Sequence, residues 1–386
     1  MFALNVRAGF CDGGGRLLFM SAFLYRFSLF LGVLFSAVRA DSAEWTAGVE
    51  REVKTGLLPS AARVFLPVNW EPSKKWPVVF FYPGTGGAAD TGLVRAHSEG
   101  RDFVVVGMPS RDDRAFHYTA ESLAVEQATL VELRDRLAAE VRVDVSRVFV
   151  AGFSKGGWMA SLLLAHSPGL AGGAVLGGGW LEHQHAPPLR PHGPMYVYVG
   201  AGRLDGNFAP SLRAAKEFGR LGARVTFDAW PETSHAMPKG GAESLSQWLA
   251  LVARGAAVNA EAARWAEGEW TRIAALGGPL EQWDGLRRLA TRPFSKALGA
   301  QWQVRLDARL AELARVPVVA EEAAMEGELR AINEREIQDM KVTTLEAVGP
   351  RYEALARRAA DSASGRLAAH DAGRIRKLWE TVPPAK

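Results

Sequence analysis

The sequence predicts an α/β protein, a mostly parallel sheet covered by helices on both faces, followed by an all-α extension. Three observations carry this. Short β-rich runs alternate with helical ones from Trp45 to about Arg254. Continuous apolar strands such as Val78-Val79-Phe80-Phe81 have the pattern of burial on both faces. Past Gly255 the composition turns to Ala, Arg, Glu and Leu, with no convincing strand.

Taken in order, Ala62 to Pro67, Pro77 to Tyr82 and Phe103 to Met108 read as the first strands. Glu121 to Val141 has apolar residues at helical spacing. Arg147 to Ala151 is a strand running into a Gly-flanked serine, and Lys155 to His166 is the helix behind it. Ala171 to Leu176, Pro194 to Val199 and Arg224 to Trp230 supply three more strands, with helices at Pro210 to Leu221 and Glu243 to Arg254.

Residues 41–257 are therefore expected to form the sheet domain and 258–386 a helical domain. Leu306, Leu310 and Leu313 mark one helical face, and Thr344 and Glu346 sit near the start of another helix. Breaks are expected at Gly277-Gly278-Pro279, Pro293, Pro317 and Gly349-Pro350, giving three to five packed helices. This extension either covers and solubilises the sheet domain or serves as a surface for a protein partner.

The chain has 386 residues, an apolar fraction of 48% and a charged fraction of 23%, as in an ordinary globular protein. Its formal charge is +4, but residues 1–40 hold Arg7, Arg16, Arg26 and Arg39 against Asp12, a surplus of three. The remainder is near neutral, which gives no electrostatic case for nucleic acid. Arg26 precedes the apolar run Phe27 to Ala37, which at about eleven residues is too short to span a bilayer comfortably. Val38-Arg39-Ala40 then offers small residues for a signal peptidase. Residues 1–40 thus read as a signal peptide, with Met1 or Met20 as the start, and the mature protein is expected in the periplasm or outside the cell. A membrane enters only if that segment stays uncleaved as an anchor. The single cysteine, Cys11, falls within it, so the expected mature chain has no thiol or disulfide.

Gly152-Phe153-Ser154-Lys155-Gly156, between a strand and a helix, is a G-x-S-x-G nucleophile elbow, a tight turn that lifts the serine hydroxyl clear of its backbone. A serine needs a base to take its proton, and the base needs an acid to orient it. Asp205 follows the strand ending at Val199 by a short loop, about 50 residues after Ser154, in the chain order such an elbow requires. Asp228 is a weaker rival because it lies within a predicted strand. Among eight histidines, His235 alone has the right order and the right loop. His97, His117 and His166 precede the acid or sit on helices. The oxyanion formed at the attacked carbonyl needs fixed N–H donors. The expected pair is the backbone N–H of Lys155 and that of Thr85, in the turn Gly84-Thr85-Gly86-Gly87 after the second strand.

On these residues the chain from about Trp45 to Arg254 resembles the α/β-hydrolase superfamily. It is most similar to secreted esterases of the polyhydroxybutyrate-depolymerase and feruloyl-esterase type. The resemblance implies an α/β-hydrolase fold and a Ser154-Asp205-His235 triad with no cofactor. Two departures stand out: Pro83 occupies the place of the usual histidine before the oxyanion turn, and the cysteines common in secreted members are absent.

The sequence therefore implies an exported serine esterase acting on a small-molecule or polymeric ester through an acyl-enzyme. The alternatives are a prolyl-oligopeptidase-like peptidase and a non-catalytic binding protein on the same scaffold. Trp158, Trp180 and Trp230 lie near the strand ends and are candidates to line a substrate pocket, with core packing as the other reading. His183, His185 and His192 are spaced as imidazole ligands for zinc, but their Pro-rich loop fixes no third ligand, and no metal site is assigned.

Overall fold

A computed structural model describes residues 45–110, 119–181 and 195–381. The expected signal segment, His117 and the histidines at 183, 185 and 192 lie outside the described residues. The described residues from Thr46 onward form one compact unit.

Eight strands form one sheet: β1 (Glu50–Val53), β2 (Ala62–Phe65), β3 (Trp76–Tyr82), β4 (Val104–Gly107), β5 (Val143–Phe153), β6 (Leu170–Leu176), β7 (Tyr196–Gly202) and β8 (Arg224–Trp230). They lie in the order β1-β2-β4-β3-β5-β6-β7-β8. The β1–β2 and β2–β4 pairs are antiparallel, and every pair from β4 to β8 is parallel. β1 was not expected: its Glu50-Arg51-Glu52 sequence has no apolar run, and a polar strand is tolerated only because it sits at the sheet edge. β3 and β4 are buried along their whole length, as their unbroken apolar sequences require.

The connecting helices are α1 (Gly92–His97), α2 (Ala120–Val141), α3 (Lys155–His166), α4 (Phe208–Arg220) and α5 (Glu243–Arg254). The Thr119 hydroxyl caps α2 by accepting from the Ser122 N–H at 3.2 Å. α1 escapes a sequence pattern because its six residues give less than two turns of periodicity. Between sheet and helices lies an aromatic core in which Phe149 meets the edges of both Phe103 and Trp248. This is the α/β-hydrolase fold, with a helical region at its C-terminal side.

That region holds seven α-helices among the described residues, more than the three to five expected: α6 (Asn259–Ala274), α7 (Pro279–Thr291), α8 (Pro293–Ala297), α9 (Ala300–Leu313), α10 (Pro317–Asp339), α11 (Val342–Arg358) and α12 (Ala363–Thr381). Gly277 to Pro279, Pro293 and Pro317 do mark helix boundaries, and each proline opens the next helix at its first position. Gly349-Pro350 does not break the chain, because both residues lie inside α11. Burial of Val348 and Tyr352 on either side holds that helix together against the lost proline N–H. Two apolar clusters organise the region, one around Trp283, Trp302 and Leu306, the other around Ile332, Tyr352 and Ile375. α7 lies against the edge strand β8, and Lys296 Nζ reaches the β8 carbonyl of Val225 at 3.4 Å.

Candidate active site

The parallel strands deliver their carboxyl ends to one rim of the sheet, where α/β folds build sites. Tyr82, the last residue of β3, pairs with Gly152 near the end of β5. That register sets the Gly84–Gly87 turn beside the elbow. The turn closes with the Gly87 N–H donating to the Gly84 carbonyl at 3.0 Å. A Cβ on Gly84 would stand 3.4 Å from the Cβ of Ser154, so this turn and the serine are neighbours.

Ser154 sits between β5 and α3 with φ 57° and ψ −120°, in the positive-φ region that a side chain disfavours. Its N–H donates to the Leu176 carbonyl on β6 at 2.8 Å, and its carbonyl accepts from the Trp158 N–H at 3.1 Å. The glycines on either side have no room for a side chain. A Cβ on Gly152 would run into the Gly156 carbonyl, and one on Gly156 would run into the Tyr82 carbonyl. Lys155 is the first residue of α3, where backbone N–H groups have no partner within the helix and the helix dipole presents its positive end.

Asp205 lies in the loop after β7 and is 4% exposed. The Asn207 N–H donates to its Oδ1 at 2.9 Å, and the Asn207 side-chain amide donates to the Gly177 carbonyl at 2.8 Å. His235, in the loop after β8, stands 2.8 Å from Asp205 Oδ2 through Nδ1 and 2.7 Å from Ser154 Oγ through Nε2. A carboxylate only accepts, so Nδ1 carries the proton. Nε2 of the neutral ring then accepts from the Ser154 hydroxyl. Phe153 packs against the imidazole with ring centroids 5.2 Å apart.

All three expected side chains therefore meet in one hydrogen-bonded line, while the Thr85 turn and the Lys155 N–H flank the serine. Asp228 takes no part. It lies in β8 and accepts from the Tyr198 hydroxyl at 2.6 Å and the Trp230 indole at 3.1 Å. Trp180 and Trp230 are buried, the former edge-on to Phe218 and the latter in the sheet core. Trp158 is half-buried, with its ring tip under Gly179. His97 bonds through both ring nitrogens, to the Leu93 carbonyl and the Ala242 N–H. Among the described residues, no group of three or more His, Cys, Asp or Glu side chains is placed to hold a metal ion.

Sequence reasoning missed Asn207 and Phe153. Phe153 occupies a variable position of the elbow motif, where no residue type is demanded. Asn207 had a signal, since Asn at the start of a helix is a common N-cap, but here its amide serves Gly177 instead of the helix.

No protein-family model matches the sequence, and no curated relative is found by sequence. Solved structures are similar to part of the chain. The carboxylesterase of Bacillus cereus is 22% identical with a TM-score of 0.39, over 46% of this chain and 89% of that one. The Mesorhizobium loti carboxylesterase is 20% identical with a TM-score of 0.41, over 52% and 98%. Thermogutta terrifontis esterase 2 is 18% identical with a TM-score of 0.38, over 51% and 88%.

Proposed function

We propose that the protein is a serine hydrolase that cleaves carboxylic esters through an acyl-enzyme. The observation that carries this reading is the unbroken line Asp205–His235–Ser154, with its two contacts at 2.8 and 2.7 Å. Ser154 Oγ attacks the ester carbonyl while His235 Nε2 takes its proton. Asp205 orients the ring and stabilises the imidazolium that forms. The backbone N–H groups of Thr85 and Lys155 receive the oxyanion, a contribution of roughly 3 kcal/mol per donor in such sites. His235 then protonates the leaving alcohol, and the emptied Nε2 activates the water that releases the acid.

The His235 side chain is 42% exposed and Ser154 is half-buried, so the line can be reached by substrate from solvent. That openness suits small-molecule or polymeric esters, in line with the resemblance to secreted polyhydroxybutyrate-depolymerase and feruloyl esterases. Export rests on the Arg26 to Ala40 segment, and an N-terminus at Asp41 in the mature protein would bear it out.

The test is covalent labelling of the purified protein with a fluorophosphonate, alongside turnover of short and long acyl esters and of peptide amides. Ser154→Ala is expected to abolish labelling and to lower ester turnover by about 10⁴-fold or more. No labelling of the native protein would overturn the hydrolase reading, and amide cleavage with little ester turnover would replace it with a peptidase.

A further inference from the structure

Arg203 stands two residues before Asp205, and its side chain leads away from the serine into the helical region. It is 6% exposed, and its Nη2 donates to Asp371 Oδ2 on α12 at 2.5 Å. Asp371 is completely buried. Arg374, one turn further along α12, lies 3.5 Å from Asp371 Oδ1 and grips Glu336 of α10 through both carboxylate oxygens, at 2.6 and 2.7 Å. The Tyr352 hydroxyl of α11 approaches the same carboxylate at 2.8 Å. Both guanidiniums also face the ring of Phe208, at 4.9 and 5.5 Å from its centroid. A turn beyond Arg374, Leu378 comes so close to the acid loop that a Cβ on Gly206 would lie 3.5 Å from it.

So many buried charges are a poor way to gain stability, because well-packed apolar side chains of the same volume commonly do as well or better. What they supply here is a fixed position for one loop. On its other side that loop is held by the His235 segment. The Arg203 N–H donates to the Trp230 carbonyl at 2.8 Å, and the Leu204 N–H to the Thr233 carbonyl at 3.0 Å. The acid loop is thus clamped between the loop of the base and the last helix of the described chain.

We propose that Arg203 is a positioning residue for the Asp205–His235–Ser154 line, through which Asp371 and Arg374 of the helical region fix the acid loop. The proposal rests on the hydrolase reading above. It makes the helical region a working part of the active site, although it gives no side chain to the line itself. A displacement of about 1 Å at a catalytic group is enough to cost a factor on the order of 10² in rate.

The test is a double-mutant cycle on 4-nitrophenyl acetate and butyrate. Arg203→Gln and Asp371→Asn are made alone and in an Asp205→Ala background, with Arg203→Lys as the conservative variant and circular dichroism to confirm folding. In the intact background kcat is expected to fall about 10- to 100-fold with KM within about twofold, and Arg203→Lys to recover most of the loss. In the Asp205→Ala background, the same changes are expected to cost less than about threefold more, because the group being positioned is gone. Equal losses in both backgrounds, an unchanged kcat in folded variants, or failure of both variants to fold would overturn the proposal alone. Full activity in Asp205→Ala by itself would overturn the triad reading, and this proposal with it.

Discussion

Ser154 holds a backbone conformation that costs on the order of 1–3 kcal/mol, and the surrounding bonds to Leu176 and Trp158 keep it there. The strain aims Oγ at His235 instead of letting it fold back on the turn. Downstream, the identity of the proton on Nδ1 decides whether Nε2 can accept. Asp205→Asn keeps the volume but allows an amide N–H to face His235, which favours the opposite tautomer. This variant is expected to stay folded and to lose about 10³- to 10⁴-fold in kcat, measured by steady-state ester hydrolysis beside a thermal melt. A loss under tenfold would remove Asp205 from the proposed mechanism. At this scale the sequence was readable where chemistry imposes short spacings, as in the elbow and the turn at Gly84. It was silent on Arg203 and Asp371, which are 168 residues apart and meet only because the fold brings α12 to the β7 loop.

At the scale of elements, the strands buried on both faces announced themselves, and the polar strand at one sheet edge did not. β3 and β4 fall where continuous apolar runs place them, because a doubly covered strand has no face on which to carry charge. β1 carries Glu50, Arg51 and Glu52, and Arg63 of β2 pairs with Glu50 at 3.4 Å, so its pattern reads as loop. Pro350 shows the opposite error, a local breaker overruled by packing. It is exposed and removes one N–H from the middle of α11, while Gly349 beside it faces Ile375 of α12. Pro350→Ala is therefore expected to stabilise the protein by about 1–3 kcal/mol, read as a higher urea midpoint at unchanged m-value. Destabilisation would mean that the proline itself sets the packing of α11 on α12.

For the molecule as a whole, alkaline pH is the exposed flank. Burial pushes the Tyr198 phenol well above its ordinary value, helped by the neighbouring Asp228 charge, and burial with the Glu336 charge does the same to Tyr352. Both phenols bind their protons more tightly folded than unfolded. Their contribution to stability is present in full below about pH 10 and is lost as pH rises past it toward the folded values. Chemical denaturation between about pH 10 and 12 should show this decline, and a Tyr198→Phe, Tyr352→Phe double variant should show a shallower one. One of these phenols lies in the sheet and the other in the helical region, so the two parts are expected to weaken together. Their mutual dependence has another side at β8. Among the described residues that strand is paired only with β7, while α7 packs against it and Lys296 reaches its Val225 carbonyl. A lone strand edge is a template for a neighbour's strand. A sheet shorn of the helices after Val258 would offer that edge to a second copy, and self-association is what such a fragment would suffer beside the loss of the Asp371 contact.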